Sequence, residues 1–349
     1  MDFAFMCKHE KPQQRGKKVA IIGAGPAGLV AAGYLACQGY SIDVYDKLPE
    51  PGGLLLFGIP EFRIPSSRVR GGINILKEVF EVNFIQKTKV FCGSKEFEEG
   101  DEFVSSEVNL EELISKYDAT LIATGAWKSN KLNIPGEDLE GVYIALEYLH
   151  KYRLAEHNYI PKDSVPSLGG KVAVIGAGLT AVDAAIHAKL IGAREVYVMY
   201  RRTINEAPAG RYEIEKLKSM GIKWMELTIP KSIIGDKRVK GIELLRARLG
   251  PPDASGRPRP EPIPNSEFIV EVDSILIAIG ERPTPPFKDE CAGIKVDRKR
   301  RVVVNKNYMT SREGVFAAGD VTTGPWNVGK AIGSGLRAAR ALHLYLLSR

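Results

Sequence analysis

One pattern occurs twice in this chain of 349 residues and governs what it can fold into. Residues 17–47 read KKVAIIGAGPAGLVAAGYLACQGYSIDVYDK. A short apolar stretch, Val19–Ile22, enters Gly23-Ala-Gly25-Pro-Ala27-Gly28. A segment rich in Ala and Leu follows, then a second apolar stretch, Ile42–Tyr45, that ends on Asp46. Residues 169–203, GGKVAVIGAGLTAVDAAIHAKLIGAREVYVMYRRT, repeat the device with Gly176-Ala-Gly178-Leu179-Thr180-Ala181 at the turn and a strand over Glu195–Tyr200. GxGxx(G/A) between a strand and a helix is the mark of a dinucleotide-binding βαβ unit. The first glycine permits a tight turn, the second lets the backbone approach a pyrophosphate, and the third position packs helix on strand. The helix N-terminus offers free N–H groups and partial positive charge to the phosphates. Two such units predict an α/β chain of two Rossmann-like dinucleotide-binding domains.

The copies differ where the second strand ends. Asp46 can accept hydrogen bonds from a ribose diol, whereas the repeat ends on Arg201 and Arg202. Two arginines at a strand end are by themselves ordinary solvated surface. The glycine turn upstream points them instead at the extra 2′-phosphate of NADP, which a guanidinium holds by charge-assisted, bidentate bonds. Two dinucleotide sites in one chain point to one flavin and one nicotinamide. The first is expected to take FAD and the second NADPH.

Between these units the chain carries a Gly- and Pro-dense stretch at 49–65, a helix over about 66–80, an acidic stretch at 95–109 expected to be mobile, and the apolar DATLIATGA ending on Thr124-Gly125. After the second unit come a proline-rich stretch at 250–265, read as an irregular loop, and two strands ending on Gly280 and on Gly319-Asp320. The first domain is therefore expected to be split, 1–127 with 283–349, around a second at 128–282. Net charge is +7, but the basic residues are interleaved with acids and form no stripe with aromatics, which argues against nucleic acid. No apolar run reaches the ~18 residues of a membrane span, and the start does not read as a signal peptide, so a cytoplasmic protein is expected. Cys7, Cys37, Cys92 and Cys291 form no CxxC and are expected as reduced thiols, with no metal site. His9, His150, His157 and His187 are expected to be structural, and no catalytic acid or base is assigned.

Taken together, EPGGLLLFGIPEFRIP, LIATGAW, NIPGEDLEGV, VIGAGLTAVDAA, YRRT followed by APA, and VFAAGDV resemble the two-dinucleotide-binding flavoproteins, specifically the small (beta) subunit family of NADPH-dependent glutamate synthase. The resemblance covers nearly all of the chain after residue 16. It implies FAD contacts from Gly23, Gly25, Ala27, Gly28, Asp46, Lys47, Gly53, Leu54, Arg63, Val90, Thr124, Gly125, Asp320 and Val328. It implies NADPH contacts from Gly176, Gly178, Leu179, Thr180, Arg201, Arg202, Ala278, Ile279 and Gly280. A helix starting near Val328 would place its positive end at the flavin and favour negative charge on it once reduced.

The implied activity is that of an FAD-dependent NADPH oxidoreductase: hydride passes from NADPH to FAD, and electrons go onward to a partner's iron–sulfur centre. The family's N-terminal cluster-binding cysteines are missing here, since a lone Cys7 cannot hold a cluster, so the acceptor is expected outside this polypeptide. It would be a glutamate synthase large-subunit-like or other iron–sulfur partner, or ferredoxin. The alternatives are a self-standing NAD(P)H oxidoreductase acting on ferredoxin, a quinone, a dye or oxygen, and a non-catalytic FAD-binding assembly or redox-sensing subunit. The oligomeric state stays open.

Overall fold

The computed structural model describes residues 3–5, 12–94, 97–253 and 256–349; Cys7 and His9 lie outside the described residues. The chain divides into two compact units. One comprises the residues up to Lys128 together with Glu281–Arg349, and the other is Ser129–Gly280.

The first unit is built on a five-stranded parallel sheet in the order Val315–Ala317, Ala119–Ile122, Lys18–Ile22, Ser41–Tyr45, Asn83–Ile85. Lys18–Ile22 is central and nearly all apolar, as a strand covered on both faces must be. The helix Pro26–Cys37 follows. Pro26 suits its first turn, where no amide partner is needed, and its Ala, Gly and Leu residues are buried almost all round. Against it packs the chain's last helix, Val328–Leu347, through Ala331, Ser334, Gly335, Ala338 and Ala339. Small residues are required there: a Cβ on Gly335 would fall on the backbone of Ala27.

The second unit repeats this plan. Its parallel sheet runs Lys223–Glu226, Glu195–Tyr200, Lys171–Ile175, Ser274–Ile277, Val142–Ile144. The buried helix Leu179–Leu190 follows the central strand. A four-stranded antiparallel sheet is added, made of Thr228–Gly235, Val239–Pro252, Pro258–Pro262 and Phe268–Glu271. In both units the central strand has its successor on one side and a later strand on the other. This reversal opens a crevice at the strands' carboxyl ends, where ligands of doubly wound sheets bind.

Three expectations change. The proline-rich stretch is no irregular loop: Val239–Pro252 and Pro258–Pro262 pair as a hairpin. Pro258, Pro260 and Pro262 fall at every second place, so their missing N–H groups share one edge and the strand can still pair on the other. The acidic stretch is also fixed, over the residues described. Lys47 pairs with Glu98 and Asp101 at 2.9 and 3.3 Å, Lys89 pairs with Asp101, and Ser106–Asn109 pairs in parallel with Thr88–Phe91. Finally, Cys92 and Cys291 are not free thiols but a disulfide between Cα atoms 6.2 Å apart. Among the described cysteines, Cys37 is buried and takes no part in a disulfide.

The disulfide joins the two sequence segments of the first unit across a separation of 199 residues. Closing a loop of that size restricts the unfolded chain by an amount worth up to about 5 kcal/mol. Reduction by dithiothreitol, or Cys291→Ser, is expected to lower the unfolding free energy of the first unit by about 2–5 kcal/mol. Denaturant melts of oxidised and reduced protein check this; coincident midpoints would contradict it.

Candidate dinucleotide sites

In the first unit, the turn after Lys18–Ile22 faces the end of Ala119–Ile122. Gly23 has φ +103° and lies so close to Ala123 that a Cβ would collide with its carbonyl oxygen. A Cβ on Gly28 would strike the carbonyl oxygen of Gly23, which is why helix and strand approach only with glycine there. Gly25 has nothing within 4 Å of its Cβ position, leaving open space at the mouth of the turn. Behind it the segment after Pro51 folds back: Gly52 donates to the Ala24 carbonyl at 2.9 Å, and a Cβ on Gly53 would come within 2.8 Å of the Gly25 Cα. Leu54 opens the one-turn helix Leu54–Phe57. The narrow PGGLL motif is thus one wall of the turn. Ala27, at the start of the helix, is buried against Ala123 and Ala331.

Asp46 ends the next strand. It is 8% exposed, and its carboxylate accepts from the Ala24 and Leu48 N–H groups at 2.5 and 2.8 Å. Burial pushes its pKa up, against those two bonds and the Lys47 charge. Lys47 is held by Glu98 and Asp101 and lies 5.2 Å from the Trp127 ring centre. Val90 is buried in the core with Leu110, Leu113 and Phe287, so its side chain is not offered to a ligand. Arg63 is half-buried, with its guanidinium 6.0 Å from the Phe62 ring centre.

The opposite lip is formed by Thr124 and Gly125, the latter at φ +77° and bound through its carbonyl to the Thr284 N–H. The hydroxyls of Thr124 and Thr284 are buried without hydrogen-bond partners, as is Oδ1 of Asp320. Burial, and then the Glu281 carboxylate, push Asp320 up to about 6 from its ordinary 3.8. Gly319 before it donates its N–H to the Ser334 hydroxyl at 2.7 Å, which ties this loop to the last helix. That helix starts at Val328, capped by Asn327, whose side chain accepts from the Lys330 N–H at 2.9 Å. Orphaned oxygens at a strand end, an open glycine mouth and a helix N-terminus fit a polyhydroxylated dinucleotide. Thr284 and Ser334 were missed from the sequence, since a lone Thr or Ser outside a motif gives no signal there.

In the second unit a Cβ on Gly176 (φ +133°) would collide with the Ala278 carbonyl, while Gly178 is open. Leu179 and Thr180 begin the helix, half-buried, and Ala181 is fully buried in the third position. Ile279 is 39% exposed beside buried Ala278, with Gly280 at φ +103°. At the strand end the two arginines part company. Arg201 is exposed, but Arg202 is 1% exposed, bound to Asp253 at 2.6 Å and to the Pro258 carbonyl at 2.7 Å. Partial desolvation, then the charges of Arg202 and Arg257, lower the pKa of Arg201. His187 lies in the helix Leu179–Leu190, buried, with its ring centre 4.1 Å from that of Tyr152 and its pKa lowered to about 4 by burial and then by Arg153. No group of three or more His, Cys, Asp or Glu could hold a metal ion among the described residues, and no helix among them is long and apolar enough to cross a membrane.

Two doubly wound units, each with an open GxG mouth at its switch point, define a two-dinucleotide oxidoreductase. The family model "Pyridine nucleotide-disulphide oxidoreductase" matches residues 17–335, and the chain belongs to that family. It is 37% identical over 340 residues to the glutamate synthase [NADPH] small chain of Halomonas elongata, covering 95% of this chain and 68% of that one. It is 35% identical over 367 residues to the NADPH-Fe(3+) oxidoreductase subunit beta of Geobacter sulfurreducens, covering 96% of this chain and 51% of that one. The chain thus spans 68% of the length of the first of these relatives and 51% of the second. FprA from Mycobacterium tuberculosis shares the fold, with a TM-score of 0.76 at 20% identity over 96% of this chain and 85% of that one. The chain is an FAD- and NADPH-binding oxidoreductase of the glutamate synthase small-chain type.

Asp320 supplies a test of the first site. A carboxyl raised in the folded state binds its proton there between pH ~4 and ~6, where the unfolded chain has lost it, so stability falls as pH rises through that window. In the flavin-free protein, Asp320→Asn is expected to remove this part of the decline. In the loaded protein it is expected to weaken FAD by about 10–100-fold, the cost of a hydrogen bond to a charged group. Unfolding free energies from pH 4 to 7 and FAD titration check both; superimposable pH profiles would count against the assignment.

Proposed function

We propose that the first unit holds FAD and the second NADPH, and that the chain passes electrons from NADPH to the iron–sulfur centre of a partner. A bound flavin would supply the exchange between two-electron hydride chemistry and one-electron transfer. The chain's own part is binding, orientation and electrostatics. The Gly23–Gly28 and Gly176–Ala181 turns present helix N-termini to the pyrophosphates. Asp46 takes the ribose of FAD, and Asp320, with the hydroxyls of Thr124 and Thr284, meets the hydroxyl-bearing chain of the flavin. The start of the Val328–Leu347 helix offers partial positive charge to the flavin ring. No protein acid or base is required, because hydride transfer moves no proton through a side chain.

The observation that carries the NADPH reading is exposed Arg201 at the end of the strand after the open Gly178 turn, with no acid in its place. The names of the relatives, a small chain and a beta subunit, support a role within a larger assembly. The net charge of +7 suits an acidic electron carrier or partner face.

Arg201→Ala is expected to raise KM for NADPH by about 10–100-fold, as one charge-assisted phosphate contact is lost, and to change KM for NADH less than threefold. An unchanged NADPH/NADH preference would overturn the assignment. Reduction of an iron–sulfur partner faster than of free ferredoxin, quinone, dye or oxygen is the expected acceptor profile. Equal rates with small acceptors alone would favour a self-standing oxidoreductase.

A further inference from the structure

Residues 295–306 read KVDRKRRVVVNK, six basic residues to one acid, a local break in the interleaving of charge. The stretch belongs to the first unit and folds back as a hairpin. Asp297 donates to the Arg301 carbonyl at 2.9 Å, Arg300 donates to the Asp297 carbonyl at 2.8 Å, and Val296 pairs with Val302 across the turn. Ile294 and Val302 enter the core beside Val315 and Val321, which anchors the hairpin. Two of its cations are spent inside the fold. Arg301 binds the Asp297 carboxylate through Nε at 2.7 Å, and Arg300 donates to the Phe287 carbonyl at 3.2 Å. Asp297, the one acid, also accepts from the Lys299 and Arg301 N–H groups at 2.8 and 3.0 Å. Lys295, Arg298, Lys299 and Lys306 are exposed, and among the described residues none of the four is paired with a carboxylate. Their like charges repel one another, a cost that an opposing acidic face would relieve.

The hairpin is built onto the loop of the first site. The Val302 N–H donates to the Val321 carbonyl at 2.9 Å. Val321 follows Asp320, whose Oδ1 has no hydrogen-bond partner. The next turn, which carries Lys306, is bound to the strand Val315–Ala317: the Ala317 N–H donates to the Tyr308 carbonyl at 3.0 Å. That strand leads directly into Gly319 and Asp320. The exposed cations and the candidate flavin contact thus share one frame.

We propose that the 295–306 hairpin is the docking surface for the electron acceptor, a protein with an acidic face beside its iron–sulfur centre. This rests on the electron-transfer reading above and deepens it by assigning the partner a surface on this chain. A nucleic acid would also be drawn to four cations, but the tie to the loop of Asp320 favours a partner that must approach the flavin. Exposed charge of this kind steers encounter, so it acts on the rate of association and weakens with salt.

The test uses the FAD-loaded protein, NADPH, a small acidic [4Fe–4S] ferredoxin as probe, and excess cytochrome c to draw electrons on from the ferredoxin. Each NADPH oxidised delivers two electrons, one to each of two ferredoxin clusters and thence to cytochrome c, and releases one proton. The rate without ferredoxin is subtracted. Arg298→Glu with Lys299→Glu is expected to cut kcat/KM for ferredoxin by about tenfold or more at low salt. The wild-type value is expected to fall toward that of the variant as ionic strength rises past about 0.1 M, where the screening length is about 10 Å. Lys216→Glu with Lys218→Glu, at exposed positions on the helix Arg211–Ser219 of the second unit, makes the same change in net charge. It is expected to stay within about twofold of wild type, because its charges lie away from the docking surface. Flavin bleaching by NADPH is expected to be unchanged in both variants, which also shows that they are folded and loaded. If NADPH does not bleach the wild-type flavin, the electron-transfer reading itself fails. If it does, and the hairpin variant reduces ferredoxin as fast as wild type, that reading stands and the docking proposal is overturned. Equal losses in the two variants would overturn it too, since net charge alone would account for them. So would a wild type that bleaches but leaves ferredoxin oxidised, whether or not its hairpin retains a duplex DNA fragment.

Discussion

The structure depends on a contact that only glycine allows. In each unit the chain leaves the central strand through a glycine pressed against the carbonyl at the end of the neighbouring strand: Gly23 on Ala123, and Gly176 on Ala278. Both glycines have positive φ, and in both a Cβ would overlap backbone rather than a movable side chain. This approach brings two strand ends and a helix N-terminus to one point. It creates the crevice and, in the same step, leaves Gly25 and Gly178 with open space before them. Turn geometry and ligand cradle are a single feature, so the sequence that makes the fold also makes the site.

Around that common device the units diverge by what is added. The first gains a C-terminal helix, small-faced along Ala331, Gly335 and Ala339, that lets its start reach the crevice, and a disulfide that ties the returning segment to the strand pair beside Lys47 and Lys89. The second gains an antiparallel sheet whose hairpin tip grips Arg202. One crevice holds unpartnered hydroxyl and carboxyl oxygens, and the other is edged by arginine.

How much of this was legible in the sequence follows from the range of each interaction. The two βαβ units were legible because their signal is local: glycine spacing, an apolar run on either side, and a charged residue at the strand end. What failed was long-range or ran against composition. Cys92 and Cys291 looked unrelated because 199 residues separate them, and only the split unit brings them together. The stretch 250–265 looked like a loop because proline is counted against strands, yet proline at alternate places is compatible with an edge. The acidic stretch looked mobile because its partners, Lys47 and Lys89, lie in other segments. Arg201 and Arg202 looked equivalent, and nothing in the dipeptide reveals that one is exposed and the other locked to Asp253. Val90 matches a motif position, and its side chain lies in the core, a placement that the motif alone does not reveal.

The central claim is that both crevices work, one as a flavin site and the other as an NADPH site. It is tested most directly by anaerobic titration of the FAD-loaded protein with NADPH and, separately, with NADH, following flavin absorbance. The account predicts stoichiometric bleaching by NADPH at low concentration, with NADH much poorer. No bleaching by either, or equal bleaching by both, would contradict it.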